Sequence, residues 1–183
     1  EWYDWRRRTV SMFRPNRGRE VLAAWSARVS TFTLITQNVN GLHERAGSRE
    51  VMRFHGLIWK TRHASGCAES GADWWNDIGP LPLLPVRCPH CDGLARRRVV
   101  WFGEGIDPAV FDGSLAATAC DLFLTVRTSA VVGPAASLLH EVKRRGAVTV
   151  ETNLDATPPS PLVDLVLRGP ADLILDQVEA LLR

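Results

Sequence analysis

Apolar residues recur at helical spacing twice before the first strand-like run, and the polar residues between them mark the boundaries. From Glu1 to Arg8, Trp2, Tyr3 and Trp5 stand among arginines, the pattern of an amphipathic helix whose aromatic face packs on a core. Pro15-Asn16 interrupts it, and Val21, Leu22 and Trp25 then predict a second helix over Arg19 to Arg28. Thr31 to Ile35 reads as a strand, Gly41 to Arg49 as loop or short helix, and Val51 to Phe54 as a short strand closed by His55-Gly56 ahead of Leu57-Ile58-Trp59. Past Lys60 the helical period disappears as far as Arg98, and Pro80 to Pro85 is proline-rich. It returns after Ala116, with a buried strand over Cys120 to Val126, a helix over Ala135 to Arg145 ended by Gly146, a strand over Ala147 to Thr152 and a fourth parallel strand over Leu162 to Leu167. Leu173, Ile174, Val178, Leu181 and Leu182 share one face of a closing helix, Ala171 to Leu182. Strands alternating with helices predict an α/β chain with a doubly wound parallel sheet. Residues 1–59 and 99–183 would form the main domain, with 60–98 a small inserted module.

Composition narrows the picture. A chain of 183 residues, 45% hydrophobic and 23% charged, has the make-up of a soluble globular protein with room for one domain and an insertion. A formal charge of +2 is too small to argue for nucleic acid. The runs Arg6-Arg7-Arg8, Arg96-Arg97-Arg98 and Lys143-Arg144-Arg145 read as solvated faces. No apolar stretch reaches the length of a membrane span, and Glu1-Trp2-Tyr3-Asp4-Trp5-Arg6 is no signal peptide, so a cytoplasmic location is expected. Cys88-Pro89-His90-Cys91 has the spacing of a metal knuckle, and reduced thiols are expected. Cys120 reads as a small buried hydrophobe.

Candidate chemistry gathers after the first strand. Gln37, Asn38 and Asn40 crowd amides at its C-terminal end, where open α/β sheets bind ligands. His55 follows. Strand-end capping by the amides and a satisfied structural histidine are the competing readings. The run Thr36-Gln37-Asn38-Val39-Asn40-Gly41-Leu42-His43-Glu44-Arg45-Ala46-Gly47 with His55-Gly56 resembles the signature of the sirtuins, NAD-dependent protein-lysine deacylases. Cys88 to Cys91, Val99 to Glu104, Thr128-Ser129, Gly133 to Ala136, Asn153-Leu154-Asp155 and Gly169-Pro170-Ala171 extend the resemblance in the family's order. It implies a Rossmann-like doubly wound sheet with a zinc-ribbon-type insertion, NAD as cofactor and acylated lysine peptides or proteins as partners.

Residue by residue, the resemblance implies that His55 is the general base taking a proton from a ribose hydroxyl, a task suited to imidazole. Asn38 would order ribose and water, with Gln37 beside it. Thr128, Ser129, Asn153, Leu154 and Ala171 would line the rest of the dinucleotide site. Val100, Phe102, Gly103 and Glu104 would meet the substrate peptide and its acyl-lysine. His63, Cys67, Cys88 and Cys91 would hold a structural zinc, with His63 at the place of the family's leading cysteine; a metal-free module held by Trp74, Trp75 and the proline-rich segment is the alternative.

This chain also departs from the pattern. Asn40 stands where the family has an aspartate gripping the nicotinamide carboxamide, keeping an acceptor oxygen but losing the charge. Arg127 stands where the family has a glycine, bringing a guanidinium to the pyrophosphate or filling the cofactor's space. Arg19 replaces a family histidine and reads as a surface difference. The family's opening glycine-rich turn and cofactor loop have no counterpart, which is expected to weaken stability and NAD binding. Two function classes follow: an NAD-dependent deacylase, with ADP-ribosyl transfer as a related chemistry, or a non-catalytic module that keeps the peptide groove and binds nucleotide weakly.

Overall fold

A computed structural model describes residues 1–67, 73–75, 84–129 and 133–182. Helix α1 spans Trp2–Ser11 and α2 Arg17–Arg28, the latter capped by Asn16, whose side chain accepts from the Arg19 N–H. Strand β1 is Leu34–Thr36, starting three residues later and ending one residue later than the apolar run suggests. A short α3 (Leu42–Arg45) and β2 (Val51–Arg53) follow, and β1 and β2 pair in parallel.

The segment after His55 is a long strand that the sequence pattern did not announce. Strand β3 runs Gly56–His63, through the point where the pattern changes. It pairs antiparallel with β4 (Trp74–Trp75) on one side and β5 (Ala95–Val99) on the other, with a register shift between Leu57 and Thr61. Gly56 makes this possible. Its φ is +81°, and a Cβ there would collide with the Arg98 carbonyl of β5, so only glycine brings the two strands together directly beside His55. Arg97 is buried in this ribbon, donating to Thr61 Oγ1 at 2.7 Å, and burial followed by the nearby Arg7 charge lowers its pKa to about 10.

Helix α4 (Pro108–Ala116), absent from the sequence reading, starts at an Asp107 cap. The C-terminal half is parallel α/β: β6 (Leu122–Val126), α5 (Ala135–Arg145, ended by Gly146 at φ +82°), β7 (Val148–Asn153), a 3₁₀ turn at Ser160–Leu162, β8 (Leu165–Arg168) and α6 (Ala171–Leu181), with strand order β6-β7-β8. Cys120 lies just before β6 and is half-buried rather than enclosed, because the strand begins two residues later.

Among the described residues the parallel strands form two hydrogen-bonded groups, β1-β2 and β6-β7-β8. One apolar layer unites them: Val21 and Leu22 of α2 and Leu175 of α6 are buried together, with Phe32, Leu34, Leu124 and Val126 packed against them. Burying three such aliphatic side chains contributes about 1.5–3 kcal/mol each. Helix α1 covers the ribbon instead, through Val10 against Ile58 and Val99. Its Trp2 and Trp5 stay exposed, so the aromatic face expected to pack does so only through Tyr3. No helix among the described residues is long and apolar enough to cross a membrane.

Candidate active site

His55 sits between two fixed points. Phe54 before it is fully buried and donates its N–H to the Thr36 carbonyl; Gly56 after it enters β3. The His55 carbonyl accepts from the Val100 N–H at 3.0 Å, tying it to the start of the 100–104 segment. Its Nδ1 lies 3.1 Å from the Gln37 carbonyl oxygen. A carbonyl can only accept, so in this bond Nδ1 carries the proton and Nε2 presents a lone pair. That is the tautomer a general base needs.

The amide cluster divides its labour. Thr128 Oγ1 donates to Gln37 Oε1 at 3.1 Å, joining the C-terminal ends of β1 and β6. The Asn38 side chain is exposed beside them, its backbone N–H held by Thr36 Oγ1. Asn40 is clamped twice: Oδ1 accepts the Leu42 N–H at 3.1 Å, starting α3, and its carbonyl accepts from Trp59 Nε1 at 2.8 Å. One lone pair of Oδ1 is therefore committed to the backbone, leaving the other and Nδ2 for a ligand.

Asn153 Nδ2 donates to the Thr128 carbonyl and to Glu151 Oε1, so β6 and β7 end in one network. Glu151 is 2% exposed, and Arg168 and Thr157 also bond its Oε1. Burial pushes its pKa up, but hydrogen bonds from Ser160, Asn153, Thr157 and Arg168 outweigh that and hold it below the ordinary value. Glu151 was missed at the sequence level because a glutamate inside an apolar strand carries no local signal. Ser129 and Leu154 are exposed, whereas Ala171 is buried as the first residue of α6, packed near Gly18 of α2.

The 100–104 segment is a turn rather than strand, with the Glu104 N–H donating to the Trp101 carbonyl and Gly103 at φ +86°. Phe102 is wholly exposed. The Glu104 carboxylate accepts from the Trp101 N–H and pairs with Arg96 and Arg62. Trp101 is in turn held by Tyr3 Oη at 2.8 Å and by the Arg96 guanidinium 4.4 Å from its ring.

Arg19 corrects the sequence reading. It is no mere surface difference: its Nη1 bonds Asn16 Oδ1 at 2.9 Å, its Nε is buried, and its pKa is lowered first by burial and then by the Arg127 charge. His43 next to it is buried, and burial followed by the Arg19 charge lowers its pKa too.

The metal-type residues also meet. His63, Cys88 and Cys91 bring their donor atoms within 4.8 Å of one another, with Cys67 within hydrogen-bonding reach of Cys91. A Cβ on Gly93 would lie 2.5 Å from His63 Nε2, so glycine opens the room the imidazole occupies. Two thiols and one imidazole converging this way, with a third thiol near Cys91, suit a zinc site.

The Sir2 family model matches residues 1–134. The NAD-dependent protein deacylase of Aquifex aeolicus is 40% identical over 100% of this chain and 75% of its own length. An NAD-dependent protein deacylase of Pseudomonas aeruginosa is 40% identical over 97% of this chain and 72% of its own length. The crystal structure of a Sir2 homologue in complex with NAD superposes with a TM-score of 0.89 at 40% identity, covering 97% of this chain and 68% of that one. A family model over most of the chain and relatives 40% identical along nearly all of it show that this chain belongs to the Sir2 family, the sirtuins.

Proposed function

We propose that this chain is an NAD-dependent protein-lysine deacylase that moves the acyl group from lysine to ADP-ribose with release of nicotinamide. The observation that carries the reading is the hydrogen bond from His55 Nδ1–H to the Gln37 carbonyl, which leaves Nε2 free to take a proton. Bound NAD would supply the ribosyl centre and the leaving nicotinamide. The chain's own residues do the positioning. Gln37, Asn38 and Asn40 face the nicotinamide and ribose end; Arg127, Thr128, Ser129, Asn153, Leu154 and Ala171 line the remainder. The acylated peptide adds to the free edge of β5, which pairs only with β3, and runs past Val100, Phe102, Gly103 and Glu104. His63, Cys67, Cys88 and Cys91 would hold a zinc ion in a structural role, because four protein ligands would leave no position for substrate. We place the protein in the cytoplasm, where such thiols stay reduced.

Incubation with acetylated peptide and NAD tests this. Free nicotinamide and deacetylated peptide are expected from the chain as it stands and not from His55→Ala, whose rate should fall by at least about 100-fold if general-base catalysis is lost. Asn40 and Arg127 favour a second reading, a peptide-binding module without turnover. Peptide binding with no nicotinamide released would establish that reading instead.

A further inference from the structure

Two of the residues that depart from the family pattern, Arg19 and Arg127, lie in different halves of the chain, yet the fold brings them to one place. Arg19 is in the first turn of α2, and Arg127 immediately follows β6. Val126, the residue before Arg127, packs on the cluster that Val21 and Leu22 of the same helix form with Leu175, and Thr128 after it is tied to Gln37 at the end of β1. Among the described residues no carboxylate pairs with either guanidinium; Arg19 has only the neutral Asn16 side chain. The pKa of Arg19 is lowered first by burial and then by the Arg127 charge, and two like charges so placed favour an anion beside them. Arg127 also adopts φ +48°, a region costly for a residue with a Cβ, and its N–H is locked to the Thr152 carbonyl at 3.0 Å. The residue is therefore fixed, with its side chain exposed, at the C-terminal edge of the parallel strands, the edge where doubly wound sheets bind phosphates.

We propose that Arg19 and Arg127 together form a diphosphate site, gripping the pyrophosphate of the dinucleotide with two guanidinium groups. The identity of the ligand rests on the NAD reading above; the anion site itself does not. Guanidinium forks match phosphate oxygens, and a pair of them meets the two charges of a pyrophosphate bridge.

The test is titration calorimetry of the full chain with ADP-ribose, adenosine and inorganic pyrophosphate, at low and high salt. ADP-ribose affinity should fall with salt and drop about tenfold or more in both Arg127→Gly and Arg19→Gln, while adenosine binding is unchanged. Glycine takes the backbone conformation of residue 127 without strain, so Arg127→Gly keeps the fold. Equal or tighter ADP-ribose binding by Arg127→Gly would overturn the proposal and show that the arginine fills cofactor space. Binding of ADP-ribose insensitive to both substitutions sinks the arginine site and leaves the NAD reading standing. Arginine-dependent binding of pyrophosphate without any binding of ADP-ribose supports the site and sinks the NAD reading.

Discussion

At the scale of single residues, the site depends on which hydrogen-bonding capacity is already used. His55 spends its Nδ1 proton on the Gln37 carbonyl and leaves a lone pair on Nε2. Asn40 spends part of Oδ1 on the Leu42 N–H, a bond an aspartate would make at least as well. What asparagine lacks is the charge that would steady a ribosyl centre as nicotinamide leaves. Asn40→Asp should therefore raise the rate of nicotinamide release by about tenfold or more, roughly 1.4 kcal/mol of barrier, without disturbing α3. Single-turnover nicotinamide release measures it, and an unchanged rate would remove charge at this position from the account.

At the scale of elements, the antiparallel ribbon connects the Cys/His cluster to His55. Strand β3 starts next to His55 and ends at His63, and β5 starts shortly after Cys88 and Cys91 and ends at Val99. A metal on His63, Cys67, Cys88 and Cys91 would staple the far ends of both strands, while Gly56 brings their near ends together. Saturating zinc is expected to stabilise the fold by about 2.7 kcal/mol at free metal a hundred times its dissociation constant, and chelation to reverse this. Melting temperature with and without chelator reports it, alongside thiol reactivity. Thiols that react equally with and without zinc would mean that the cluster holds no metal. The 100–104 turn is supported from the same ribbon, since Arg96 pairs with Glu104 and covers Trp101.

For the molecule as a whole, the sheet and helix layers are pinned by ion pairs as well as by the apolar layer under α2 and α6. Asp164, just before β8, accepts from Lys143 of α5 at 2.6 Å and from both the N–H and the Oγ1 of Thr149 in β7. The Lys143 and Thr149 hydrogen bonds hold its pKa well below the usual carboxylate range. A carboxyl depressed in the folded state adds stability that is present above its unfolded pKa of about 3.9 and is lost as pH falls through the folded value. Asp164→Asn should accordingly melt below the parent chain at pH 7, with the gap closing as pH drops under about 4. A gap independent of pH would show that the charge is not what joins these layers.

The sequence by itself determined the parts governed by local pattern. The period of apolar residues places α2, α5, α6 and the parallel strands β6 and β7, because burial of one helix face or one strand run is written residue by residue. The order of polar motifs marks Gln37, Asn38, His55 and the Cys88–Cys91 knuckle as site residues, because their chemistry needs those side chains near strand ends and turns. Strand β3 was not legible, since Lys60, Thr61 and Arg62 are polar and the strand is justified only by pairing on both edges. Neither was α4, nor the buried Glu151, whose partners come from residues 153 to 168. Only the tertiary structure decided that His55 carries its proton on Nδ1, that Asn40 is half committed to the backbone, and that the Arg127 charge is felt at Arg19. Each of those is a relation between distant residues, set by distance and geometry that no local pattern encodes.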